Sequence, residues 1–452
     1  MSYFDRYLDN YRRIMKLALP IIAGQLSTIL IALSDNAMVG QYDSLSLAAS
    51  AFANALLSTI LLFGMGTTWS LTPLVAAADA SNNQTESRLL LKHSLVLYTL
   101  IGGVLFGLSY VASFFLGHFG QDPEVVALAT PYFRVVGFSI IPVMIFQALK
   151  QFMDGLSYTK EPMYINFFGA ILNILFNYLL IFGHWGFPSM GLLGAGIATL
   201  AARIVMAGAL VARFLYVEKF GPYCAGLHFR NLSGAILIKL AKMGIPVGFQ
   251  AGFEVGAFGF VNVMVGWMGP VALAAHQIAL NVATVTFLTA MGISSAAAIR
   301  IGSLYGSKNR EEMRTAGMAA YHLVILFMGS CAAIIALTRY WLPLFYLDAN
   351  DPLLEEIVPI SASLLIYAAI FQISDGVQVI GMGVLRGIQD IKAPTLIALI
   401  AYWVLGVPLG YLLGFKLGFG IPGVWIGLLA GLTFAAIFLA RRFFDKSARL
   451  NL

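Results

Sequence analysis

Charge is what this chain has least of. Asp, Glu, Lys and Arg make up 11% of its 452 residues against 60% hydrophobic, and mean hydropathy is +0.85. Soluble domains carry about 25% charged residues, so there is too little polar surface here to coat a globule in water. Cysteine is nearly absent as well: Cys224 and Cys331 are too few and too distant for a disulfide framework or a thiolate metal site. The six histidines form no HExxH pair, and no Ser/His/Asp constellation is legible. GSLYGSK (Gly302 to Lys308) falls one residue short of phosphate-loop spacing and follows no strand, so ATP hydrolysis is unsupported. No enzyme and no cofactor are expected from these gaps.

What fills the chain is apolar sequence in long runs. A spanning helix needs about 20 mostly apolar residues. Twelve stretches qualify: 14–40, 47–78, 94–117, 128–152, 162–184, 190–216, 238–266, 271–300, 317–340, 355–384, 394–416 and 421–442. The first is too long for a signal peptide and has no small-residue cleavage site, so no removed leader is expected. Basic residues alternate between the gaps. Arg12, Arg13 and Lys16, then Arg88 and Lys92, Lys160, Lys219 with Arg230 and Lys239, Lys308 with Arg310, Arg386 with Lys392, and Arg441 to Arg449 all fall on one side; Arg339 and Lys416 are nearly alone on the other. The positive-inside rule then puts both termini in the cytoplasm, and the net charge of +6 reads as topology instead of a nucleic-acid footprint.

The chain also repeats itself. Lys16 to Asn83 and Lys242 to Asn309 match without gaps at an offset of 226 residues, with 15 identities in 68 positions. Lys16 falls on Lys242, Pro20 on Pro246, Asn36 on Asn262, Met38-Val39-Gly40 on Met264-Val265-Gly266, and Asn83 on Asn309. A weaker echo links Asp154–Pro162 to Arg386–Pro394. The polar interruption at 221–237 divides the chain into residues 1–220 and 238–452, each with six spans entering from the same side. The expected fold is therefore an all-α integral membrane protein, twelve transmembrane helices in two pseudo-twofold-related six-helix bundles. Pro20 and Pro246 mark kinks at equal positions. Gly406, Gly410, Gly414 and Gly418 make a close-packing face in span eleven.

An ionisable side chain at the bilayer centre costs about 2.5–3.5 kcal/mol on insertion scales. Three carboxylates nevertheless lie inside apolar spans: Asp35, Glu254 and Asp375. Arg203 is the one mid-span cation. Under the repeat, Glu254 falls on Thr28 and Asp35 on Val261, so the two halves place their acids at different depths, and two different polar sites are expected. Asn173 and Asn177 share a helix face and, with Asp35 and Thr199, make an oxygen-lined pocket; interhelical amide glue is the blander reading. In the second half Glu254 and Asp375, with Gln277, Asn281, Gln372 and Gln378 as candidate neighbours, suit Na+ through oxygen ligands or a proton. Phe371, one turn before Asp375, is a candidate seat for an organic cation. His276 reads as a packing or hydrogen-bonding residue.

SDNAMVG in span one, the asparagine pair in span five, GFEVGAF in span seven, AAHQIAL in span eight and QISDGVQVIGMGVLRGIQDIKAP in span ten together resemble the multidrug and toxic compound extrusion (MATE) family, NorM-type members above all. The likeness covers essentially the whole chain. It implies an antiporter in a bacterial inner membrane, which exports organic cations in exchange for Na+ or H+ by alternating access, and a monomer is expected. Glu254, Asp375, Phe371 and Gln277 would serve coupling and substrate in the C-terminal lobe, and Asp35, Asn173 and Asn177 a polar site in the N-terminal one. The sequence departs from NorM-type members at Asn36, often Thr, and at Phe371, Tyr in some. A lipid or lipid-linked sugar flippase of related architecture is the alternative; it would want a cationic interior, and this one is acidic.

Overall fold

The computed structural model describes residues 3–224, 231–347 and 352–450. Twelve helices are long and apolar enough to cross a membrane. We number them α1 (Tyr3–Tyr42), α2 (Ser44–Ala80), α3 (Gln84–Ala112), α4 (Pro123–Gly155), α5 (Lys160–Phe182), α6 (Gly191–Tyr216), α7 (Gly234–Gly266), α8 (Pro270–Gly306), α9 (Arg310–Thr338), α10 (Leu354–Gly387), α11 (Lys392–Lys416) and α12 (Gly420–Arg449). Every expected span is present. Several begin earlier than their apolar runs, because polar first turns do not register as hydropathy. The third starts at Gln84 instead of 94 and the ninth at Arg310 instead of 317.

Both early starts have the same cause. Asn83 accepts the Glu86 amide at 3.0 Å, and Asn309 accepts the Glu312 amide at 3.1 Å, so each caps its helix with a side-chain oxygen. The two caps are equivalent positions of the repeat. The residue before each, Asn82 or Lys308, takes a left-handed backbone with φ of 54° and 59°. Ser157 and Gln389 do the same in the second echo, at φ of 67° and 61°. The duplication is thus written in turn geometry as well as in letters.

By packing, the chain forms two compact units: Ala23–Gly248, and Met1–Ile22 together with Phe249–Leu452. We call them the N-terminal and C-terminal units. The division read from the repeat, at 221–237, is a different one. Residues 225–230 of that stretch, with His228 and Arg230, lie outside the described residues; on either side, Gly221–Cys224 is a single helical turn and Asn231 anchors to Lys92 through its carbonyl at 2.6 Å.

The packing boundaries fall two residues past Pro20 in α1 and Pro246 in α7. Within the C-terminal unit the start of α1 is tied down by Asn10, whose amide donates to Glu312 at 2.7 Å and whose oxygen accepts from Arg300 at 3.2 Å. Tyr11 adds a bond to His322 at 2.9 Å. Within the N-terminal unit, the start of α7 lies so close to α2 that a Cβ on Gly248 would stand 2.8 Å from the Phe63 carbonyl.

Each unit has its own core. That of the N-terminal unit is built on Tyr98, Phe133 and Phe152, that of the C-terminal unit on Tyr402, Trp425 and Phe443, all fully buried. In the C-terminal unit α10 packs against α8, α9 and α12. Glycines set the spacing: a Cβ on Gly376 would meet Met328 at 2.7 Å, and one on Gly383 the Ser294 carbonyl at 2.6 Å. Ser294 in turn donates to the Val379 carbonyl at 2.6 Å. The glycine face of α11 meets α12 as its spacing suggested, Gly406 against Gly431 and Gly410 against Val424. Gly418 lies beyond that face, in the turn after α11, with φ of 74°.

Candidate functional site

Polar residues inside the helices gather into two groups, one per unit. In the N-terminal unit Asp35 sits near the end of α1 and accepts the Asn177 amide at 2.5 Å. Asn177 also donates to Asn173 at 3.3 Å, and Asn173 to the Thr199 hydroxyl at 3.5 Å. The i,i+4 spacing on α5 aligns the two asparagines, and α6 supplies Thr199 opposite them. Asn173, Asn177 and Thr199 are buried and Asp35 is half-buried. All four residues expected to share a pocket are therefore together.

Arg203 follows Thr199 by one turn of α6. Its guanidinium donates to the Ser139 hydroxyl at 2.6 Å, where α4 is interrupted, and it lies within electrostatic reach of Asp35. Tyr132, which donates to Asn54 at 3.2 Å, completes the surroundings. Ser139, Tyr132 and Asn54 were not singled out by sequence, because hydroxyls and amides in spanning helices are common. This group pairs one carboxylate with one cation.

The C-terminal unit has no such balance. Glu254 on α7 and Asp375 on α10 are close enough to act on each other electrostatically. Neither has a lysine or arginine within ion-pair distance among the described residues. Asp375 is 3% exposed, and Glu254 Oε1 is buried without a hydrogen-bond partner. The Tyr402 hydroxyl lies within reach of Glu254 and Gln378, and Gln378 Oε1 and, three residues before Asp375 on α10, Gln372 Oε1 are buried without a hydrogen-bond partner. Unsatisfied buried oxygens are costly, and those of Glu254 and Gln378 beside Tyr402 and Asp375 make an environment that asks for a positive charge. Among the described residues no three His, Cys, Asp or Glu side chains cluster as a metal site. The donor set is thus mostly neutral oxygens and suits a monovalent ion or a proton better than a tightly chelated divalent one.

Tyr402 and Gln250 are the residues that sequence reasoning missed. Gln250 precedes Glu254 by one turn of α7, is buried, and donates to Met382 Sδ; the i,i+4 spacing was the available signal. Tyr402 lies on a π-helical stretch, Ile400–Gly406, and a second such stretch covers Leu412–Lys416. Turns of this kind are frequent at functional sites. Pro408 accounts for the first: it has no N–H to offer and its ring crowds the carbonyl of Val404, so the turn opens.

Three expected neighbours are not among the buried oxygen donors. Gln277 and Asn281 are exposed, because the buried face of α8 is taken by Ala275, His276 and Ala279. Phe371 is 3% exposed and has a packing position, its ring edge-on to Phe258 at 6.0 Å and Trp425 at 5.7 Å. That burial, not an open face, is what the structure gives the residue read from sequence as a candidate seat for an organic cation. His276 is fully buried and accepts the Trp425 indole N–H at 3.1 Å.

The MatE family model matches residues 20–179 and 246–412, which include every residue of both polar groups except Thr199 and Arg203 on α6. The chain belongs to the MatE family. Its members are transporters, and both repeats of the duplicated chain fall within the match apart from their first four residues. Among curated relatives, a probable multidrug resistance protein NorM of Rhizobium meliloti is 33% identical over 98% of this chain and 95% of its own length. The multidrug resistance protein NorM of Vibrio parahaemolyticus is 31% identical over 97% and 96%. Of solved structures, a MATE in complex with MaL6 superimposes with a TM-score of 0.89 over 99% of both chains, at 20% identity. That likeness establishes the fold, a MATE-type arrangement of twelve helices in a multi-pass integral membrane protein.

Proposed function

We propose that this MatE-family chain is a secondary antiporter of a bacterial inner membrane, exporting organic, cationic and amphipathic compounds in exchange for Na+ or H+. NorM-type relatives carry the name multidrug resistance protein, which supports efflux of foreign compounds. The single observation that carries the coupling is the pair Glu254 and Asp375, two acids in one buried group with no basic partner among the described residues. Two neighbouring carboxylates in a low-dielectric interior repel each other and lose their hydration. They are tenable there with a proton, a Na+ or a cationic cargo between them. Competition of ion and cargo for the same acids supplies the difference in affinity that exchange requires.

The balanced group of Asp35, Asn173, Asn177 and Arg203 carries its own cation, so on this reading it serves as a polar site that needs no coupling ion. The acidic C-terminal group also argues against an anionic lipid-linked cargo. Both termini lie in the cytoplasm on the positive-inside rule, and the working form is a monomer with alternating access to the two sides. Proteoliposomes loaded with a fluorescent organic cation test the proposal. With a sodium gradient and then a pH gradient imposed alone, one of the two should drive cargo movement and collapse as cargo moves. Cargo movement indifferent to both gradients would remove the antiport reading.

A further inference from the structure

We propose that the end of α12 carries a binding site for the headgroup of an anionic phospholipid of the surrounding bilayer. A cavity of about 590 Å³ opens there. Ile397 and Phe438 form its apolar end; Arg441, Arg442, Lys446 and Arg449 form its basic end, with Asp445 among them. The helix explains this arrangement. Phe438 lies one turn before both Arg441 and Arg442, and Lys446 and Arg449 continue the row, so one face of α12 changes from apolar to cationic within roughly 16 Å. Phe438 is 46% exposed and its neighbour Ile437 59%, an apolar surface continuous with the basic end.

The charges are not already spent on the protein. Asp390, almost wholly buried, takes Arg442 at 2.6 Å and Lys446 at 3.2 Å. Arg441 reaches Asp445 only at 3.8 Å and its side chain is 78% exposed. Arg449 makes no ion pair among the described residues. Four cations thus face two carboxylates, and the surplus lies at Arg441 and Arg449, whose planar guanidinium groups suit a phosphate. The fixed pairs to Asp390 hold the floor of the cavity in place. A free anion would use the charges and leave the apolar end without purpose, whereas a phospholipid uses both: phosphate against the arginines, first acyl carbons along Phe438 and Ile397. Basic pockets at helix ends recognise anionic headgroups in this manner.

The test uses the full-length protein in neutral detergent. It is titrated separately with phosphatidylglycerol, with phosphatidylcholine of the same acyl chains and with inorganic phosphate, and retained ligand is counted by native mass spectrometry. Phosphatidylglycerol should be retained in preference to phosphatidylcholine, and phosphate should not displace it. Arg441→Ala combined with Arg449→Ala should weaken that retention by roughly tenfold or more, with the melting temperature in the absence of lipid unchanged. Should the double variant melt lower, Arg449→Gln alone gives the same readout with one exposed side chain altered. Equal retention of the two lipids, undiminished retention by the variants, or displacement by phosphate at matched concentration would each overturn the lipid site.

Discussion

At the scale of single residues, the two polar groups differ in whether their acids have a counter-charge, and that difference predicts opposite consequences of neutralising them. Glu254→Gln and Asp375→Asn each remove an acid that nothing basic opposes among the described residues. We expect both to abolish gradient-driven efflux in proteoliposomes while the proteins stay monodisperse and melt no lower than the parent. Asp35→Asn removes the one carboxylate near Arg203 and leaves that half-buried guanidinium without it. It should lower stability by about 1–3 kcal/mol, read as a fall in melting temperature that the other two variants do not show. Sequence made the first group legible because Asn173 and Asn177 lie one turn apart and any inward-facing pair on α5 had to share a partner. It made the acids of the second group legible through their cost in hydrocarbon. It could not give their neighbours, since which face of α8 points inward depends on packing; hence Gln277 and Asn281 were expected near the acids and His276 is the residue inside. Tyr402 was hidden for another reason, the local departure of α11 from α-helical period.

That departure belongs to the scale of the element. A proline inside a helix removes one bond and opens the turn before it, and here the open turn sets the register between Tyr402 and the glycine face that seats α11 on α12. Pro408→Ala lets the turn close, which rotates residues on one side of it by about 100° relative to the other. We expect normal expression and melting but impaired coupled transport, with Tyr402→Phe milder than Pro408→Ala in the same assay. The helix caps offer a stability test at equivalent places. Asn83→Ala and Asn309→Ala should each cost about 1 kcal/mol, and the two losses should be alike because the turns they close are alike. A third cap, Asp43 at the start of α2, accepts the Ser46 amide at 2.9 Å, which holds its carboxyl below the usual carboxylate range. A depressed acid stabilises the fold above its unfolded pKa and loses that contribution as pH falls through the folded one. Exchange at the Ser46 amide should accordingly quicken in acid and be insensitive to pH in the neutral range once corrected for intrinsic rates.

At the scale of the whole molecule, counting apolar runs was enough to find twelve helices, and a single ungapped offset was enough to find the duplication. The compact units were less accessible. Nothing in the letters of Asn10, Glu312 and Arg300, nearly three hundred residues apart, announces that they bond, yet that bond assigns the first 22 residues to the later part of the chain. Reciprocally, residues 234–248 of the later repeat complete the earlier unit. No split of the gene at its midpoint therefore yields a fragment containing all the pieces of either unit. Each fragment made alone would lack a stretch of helix and expose the surface that stretch covers, a cue for degradation. Made together from two messages, the fragments should rescue one another, and removing residues 1–22 from the first should be felt as destabilisation of the second.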